Sequence, residues 1–272
     1  MLRFFVSFSL FFTCTLSAQT YSWTENDSAE TIHSRFATPD EFQRMPANSG
    51  TFAHWLQHLP LKPGKPVVML YNGQRKGNQR AHVAVIDIDT GNKDLQQCAD
   101  AVMRLRAEYL YSTKQFSAIH FNYTSGDEIA FLRWANGSRP TVNGNTVRWR
   151  SGGTEGKGYT NFRRYLNNVF TYAGTYSLRR EMKAVAKPRD LQIGDVFIQG
   201  GFPGHAVIIV DAAFHPETGE KRFLLAQSFM PAQDIHVLQN PLSDSPWYSS
   251  DFGEILKTAE WEFEKGDLRR FD

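Results

Sequence analysis

The run from His205 to Phe214 is apolar at both of its alternating sets of positions, and Asp211 is its one charged residue. Side chains on a strand alternate between faces, so a strand apolar on both must be covered on both. The run therefore predicts a central strand of a sheet. Its surroundings fit. Asp195 to Gln199 reads as a strand, Gly200-Gly201-Phe202-Pro203-Gly204 as a sharp turn, Pro216-Glu217-Thr218-Gly219 as a hairpin turn and Arg222 to Ser228 as the return strand. Ile235 to Leu238 and Glu260 to Phe263 read as further short strands.

Upstream, helical spacing prevails. Phe52, Trp55, Leu56 and Leu59 share one face of a short helix that Pro60 stops. Leu95, Cys98, Val102, Leu105 and Tyr109 recur on the buried stripe of a helix capped by Asp94 and running to about Tyr111. Tyr159 to Tyr172 is a third helix and Ser177 to Val185 a shorter one. Strands are expected at Val67 to Tyr71, His82 to Ile88, Ala118 to Tyr123 and Thr146 to Trp149. The Gly-rich stretch Ser151 to Gly158 reads as a loop. Helices first and a meander last predict an α+β domain.

The first residues read as an export leader. Arg3 precedes an apolar run from Phe4 to Leu16, and Leu16-Ser17-Ala18 ends in a small residue. The run is short of the ~20 residues that span a bilayer. Residues 1–18 are thus assigned to a signal peptide, 19–48 to an extended lead-in and 49–272 to a single domain. The expected location is periplasmic or extracellular. Lipid anchoring through Cys14 is the alternative, although Phe11-Phe12-Thr13 is a poor lipid-attachment signal. No later stretch is long enough to cross a membrane. Lys and Arg number 30 against 28 Asp and Glu, a balance that leaves no electrostatic footprint for nucleic acid.

Removal of the leader leaves one cysteine, Cys98, which excludes an internal disulfide. A lone thiol is either buried filler or a nucleophile. A nucleophile needs its proton removed, by a helix N-terminus or a neighbouring imidazole. Cys98 follows a helix start, and His205 opens the central strand behind a Gly-rich turn. Gln227 on the return strand could orient the ring. The Cys98 backbone N–H, with Gln96 or Gln97, could meet an oxyanion.

Other clusters are weaker. His54 and His58 stand four apart, with His82 or Asp87 as further ligand candidates, but no Glu follows His54. Asp87, Asp89 and Asp94 read as a solvated turn and helix cap rather than a calcium loop. Arg148, Arg150, Arg163 and Arg164 read as solvated faces. No metal and no cofactor is expected.

The order Gly194-Asp195-Val196-Phe197-Ile198, then Gly204-His205-Ala206-Val207-Ile208-Ile209-Val210, then Leu225-Ala226-Gln227-Ser228 resembles the NlpC-type cysteine peptidases and amidases of bacterial cell walls. The cysteine segment reads Gln97-Cys98-Ala99-Asp100 where that superfamily has Asp-Cys-Ser-Gly. Asp94-Leu95-Gln96-Gln97-Cys98-Ala99-Asp100-Ala101-Val102 is similar to a run in an uncharacterised family of exported bacterial proteins. The resemblance implies a papain-like core, a cysteine helix packed on a small antiparallel sheet with insertions. It also implies hydrolysis of peptide or amide bonds, in cell-wall peptides among others, by Cys98, His205 and Gln227. The alternative is a non-catalytic envelope binding or structural protein on the same scaffold.

Overall fold

The computed structural model describes residues 21–24 and 30–272. The leader assigned to residues 1–18, with Cys14, lies outside them. Among the described residues, nine strands form one sheet: β1 Gln43–Arg44, β2 His82–Val85, β3 Lys183–Ala184, β4 Val196–Gln199, β5 His205–Phe214, β6 Lys221–Gln227, β7 His236–Leu238, β8 Tyr248–Ser249 and β9 Leu268–Arg270. The order is β2-β7-β6-β5-β4-β9-β3, and every pairing is antiparallel. β1 continues the β4 edge of β5, pairing Gln43 with Phe214, and β8 continues the β7 edge of β6.

β5 is the central strand its pattern predicts: all its residues but Phe214 are buried. Its charge, Asp211, is met by Arg44 at 3.2 Å and by the Gln57 amide at 2.8 Å. The segment expected as a lead-in thus supplies a strand, a helix at Ile32–Arg35 and the counter-charge for the core.

Six helices accompany the sheet among the described residues: α1 Ile32–Arg35, α2 Phe52–Gln57, α3 Cys98–Ser112, α4 Phe131–Ala135, α5 Tyr159–Tyr172 and α6 Thr175–Glu181. α2 and α3 pack on β5, and α3 also reaches β6. α5 buries Phe162, Tyr165, Leu166, Val169 and Phe170, the stripe its spacing predicts. No helix is long and apolar enough to cross a membrane among the described residues.

The expected papain-like core, one cysteine helix on a small sheet within an α+β domain, is overturned. The structure is dominated by the nine-stranded antiparallel sheet, and its helices are few and mostly short. The reason is physical. β1, β3, β7, β8 and β9 are two or three residues long. So short a strand has no readable period of two, and its partners lie far away in sequence, as Gln43 and Phe214 do. Val67 to Tyr71 forms no strand; only isolated bridges of Met69 to Arg75 and Leu70 to Gln233 occur there.

Candidate active site

Cys98 is the first residue of α3, and Gln97 is its N-cap. The helix starts later than expected because Asp94 is engaged elsewhere. Its carboxylate accepts from the Ala232 N–H at 2.7 Å and the Gln97 amide at 3.1 Å. Asp100, at the third helical position, accepts from the Gln97 N–H at 3.0 Å instead. The first bond within the helix runs from Ala101 N–H to Gln97 carbonyl at 2.9 Å. The N–H groups of Cys98, Ala99 and Asp100 therefore have no acceptor inside the helix. Those of Cys98, Ala99 and Ala206 favour the thiolate. Burial outweighs them and, with the neighbouring Asp100 carboxyl, pushes the thiol up to about 11. The resting group is a neutral thiol.

His205 and Gln227 come from adjacent strands. Ala226 is paired with Ile208, so Gln227 falls opposite Val207 and shares a face with His205. His205 Nε2 and Gln227 Oε1 lie 2.8 Å apart. The tautomer follows from what stands behind. Glu260 Oε2 lies 2.8 Å from the Gln227 amide nitrogen, and a carboxylate can only accept. His236 Nε2 lies 3.3 Å from the same nitrogen, while its Nδ1 faces the Asp234 carbonyl at 2.9 Å and so carries the proton. The nitrogen of Gln227 thus points to two acceptors and its oxygen to His205. His205 must donate from Nε2, which leaves the lone pair of the neutral ring on Nδ1. Glu260 is itself held by Lys76 and by Asn78.

Rings enclose His205: Phe229 at 4.7 Å, Trp261 at 5.3 Å and Phe263 at 6.0 Å between centroids. Burial pulls the imidazole down to about 4, against the opposing effect of the Gln227 bond. His205 is therefore neutral at physiological pH.

Cys98 and His205 line one cavity of about 390 Å³. The sulfur lies 4.0 Å from the Gly204 carbonyl and is also met by the Ala206 N–H, the two residues that bracket His205. Gly204 has no room for a side chain. A Cβ there would meet Thr175 Oγ1 at 2.4 Å and the Gln199 carbonyl at 2.6 Å. Gln227 stands behind His205 and does not line the cavity.

The two oxyanion candidates differ. Gln97 lines the cavity, with its amide turned to Asp94. The Gln96 amide lies away from it, its oxygen bonded to the fully buried Arg104 at 2.7 Å. Of the expected set, that leaves the Cys98 backbone N–H, which has no acceptor inside the helix.

His54 and His58 stack face to face at 4.1 Å, and His82 binds the Pro66 carbonyl. Asp89 serves Arg104 and Arg163. Among the described residues, no three His, Cys, Asp or Glu side chains converge as metal ligands. Sequence reasoning missed Lys76, His236 and Glu260, which decide the tautomer, and Trp261, which covers the ring. Only their positions in space mark them.

A family comparison matches residues 32–270, nearly all of the described chain, to the family described as domain of unknown function 4846. The chain belongs to that family. The match takes in Cys98, His205, Gln227 and Glu260, so the whole site is part of this 4846 domain. No curated protein and no solved structure matches the chain.

Proposed function

We propose that this protein is an exported hydrolase of peptide or amide bonds in which Cys98 attacks, His205 is base and then acid, and Gln227 orients the ring. The observation that carries the reading is the protonated Nε2 of His205 bound to Gln227, with the Nδ1 lone pair left on a ring that shares a cavity with the Cys98 thiol. The export leader and the sequence resemblance to cell-wall peptidases support it.

The resting pair is neutral, so proton transfer accompanies attack. The sulfur bonds to the carbonyl carbon as its proton passes to Nδ1, and the π electrons move to oxygen beside the Cys98 N–H. The C–N bond then breaks, and the amine leaves with the proton from Nδ1. Water adds to the thioester, giving a proton to Nδ1. The C–S bond breaks, the thiol is re-formed, and an acid is released. No external electron donor or acceptor is needed.

Intact-mass spectrometry of the protein exposed to an activated amide tests this. A covalent acyl adduct on Cys98, absent in Cys98→Ala and accumulating in His205→Ala only at high pH, is the expected result. A second reading, a non-catalytic binding protein, is favoured by the raised thiol. Tight amide binding with no adduct and no turnover in the wild type would establish that reading instead.

A further inference from the structure

We propose that the cavity beside Cys98 is a subsite for an apolar acyl group that carries no carboxylate. This rests on the hydrolase reading for its chemistry and names the substrate class of the same site.

Beside the polar Gln97, Asp100 and Thr175, the walls are mostly apolar, with Phe170, Phe202, Pro203, Phe229, Met230 and Trp261. At about 390 Å³ the space lies at the small end of ligand sites, sized for one large side chain or a short acyl chain. Phe202 and Met230 are 88% and 65% exposed, far more than any other aromatic or methionine side chain on the wall. They come from two separate loops, after β4 and after β6, and leave apolar surface at the cavity that an apolar ligand would cover.

Charge points the same way. Among the described residues no Lys or Arg lines the cavity. Its titratable groups are Cys98, Asp100 and His205. Burial disfavours the thiolate of Cys98 and the imidazolium of His205, so the pair offers no cation to a ligand. Asp100 is buried, and its Oδ1 has no hydrogen-bond partner. A ligand carboxylate would be desolvated with no cationic side chain to pair with, next to a second carboxyl. Peptides rich in free carboxylates fit this subsite poorly. A neutral amide with an aromatic or aliphatic group fits it well.

The test uses the Cys98→Ala protein, in which binding does not depend on hydrolysis. N-acetyl-phenylalaninamide, octanamide and N-acetyl-glutamate amide are titrated by calorimetry at pH 7.5. At least one of the two apolar amides should bind roughly tenfold or more tightly than the glutamate amide. Which one binds better separates a peptide side chain from an acyl chain as the natural source. Phe202→Ser, a change at an exposed position, should weaken the apolar amide several-fold. Asp100→Asn should narrow the gap to the glutamate amide. Equal or tighter binding of the glutamate amide, or no binding by either apolar amide, would overturn the proposal. Selective apolar binding with no turnover by the wild type would instead remove the hydrolase reading and leave the subsite standing.

Discussion

Glu260 accepts a hydrogen bond from the Gln227 amide at 2.8 Å, and through it sets which nitrogen of His205 carries the proton. Gln227 alone could turn either end of its amide toward the ring. A carboxylate behind it admits one orientation. Lys76 pairs with that carboxylate in a site where the two side chains are 6% and 14% exposed.

Glu260→Gln should therefore loosen the tautomer. A neutral amide presents both donor and acceptor, so Gln227 is free to flip. Nitrogen NMR of His205 should change from an Nε2-protonated ring to a mixture. Turnover of an amide substrate should fall ~10²-fold with a smaller change in KM. Glu260→Ala also leaves Lys76 buried without its partner, and should cost about 3 kcal/mol in urea unfolding. An unchanged imidazole spectrum in Glu260→Gln would refute the argument.

The Cys98 thiol should be sluggish in the absence of substrate. Burial holds it at about 11, so its iodoacetamide rate near pH 8 should lie on the order of 100-fold below that of a free thiol. The rate should climb with pH toward 11. Asp100→Asn removes the second cause of the shift and should move the midpoint down. A midpoint below 8 would mean that the pair rests as an ion pair after all.

Asp100 also makes a stability prediction. Burial raises its carboxyl from 3.8 to about 7. The folded state then holds a proton that the unfolded chain has already lost between those values. Its contribution is complete below pH 3.8 and is lost as pH rises through about 7. The loss amounts to about 4 kcal/mol. The stability of wild type relative to Asp100→Asn, measured by denaturation from pH 3 to pH 8, should decline by that order and then level off. A flat difference would show that the carboxyl is ionised throughout.

Gly204→Ala should fail sterically. Its Cβ would meet Thr175 Oγ1 at 2.4 Å, the Gln199 carbonyl at 2.6 Å and the Gly201 carbonyl at 2.7 Å. Two of these are backbone atoms of the β4–β5 turn, which cannot move without displacing His205. Destabilisation of ~3 kcal/mol is expected by thermal or chemical unfolding. Thr175→Ser, which keeps the hydroxyl and relieves nothing in the backbone, should not rescue it.

Elements with long, regular patterns were legible in the residues. The central strand appears at His205–Phe214 and the amphipathic helix at Tyr159–Tyr172, where their spacing puts them. Burial periodicity is a local property, and ten or more residues express it fully. The start of α3 was not legible. Asp94 has the chemistry of a cap, but the Ala232 N–H across the fold takes it, and the helix begins at Cys98. The size of the sheet was hidden for the same kind of reason, since strands of two residues exist only through partners remote in the chain.

The candidate site divides along that line. Local sequence was enough to single out the lone cysteine near a helix start, the histidine that opens the buried strand and the glutamine on the strand that returns. Whether those three form one unit depended on strand register, because a shift of one residue would turn Gln227 to the opposite face. The proton on His205 depended on Lys76, His236 and Glu260, which are remote from it in the chain, and the neutral state of the thiol and the apolar character of the cavity depended first on burial. Hydrogen bonds and desolvation act through space, over a few ångströms. Their effects on a side chain are therefore set mainly by what folding brings beside it, and only in part by its neighbours along the chain.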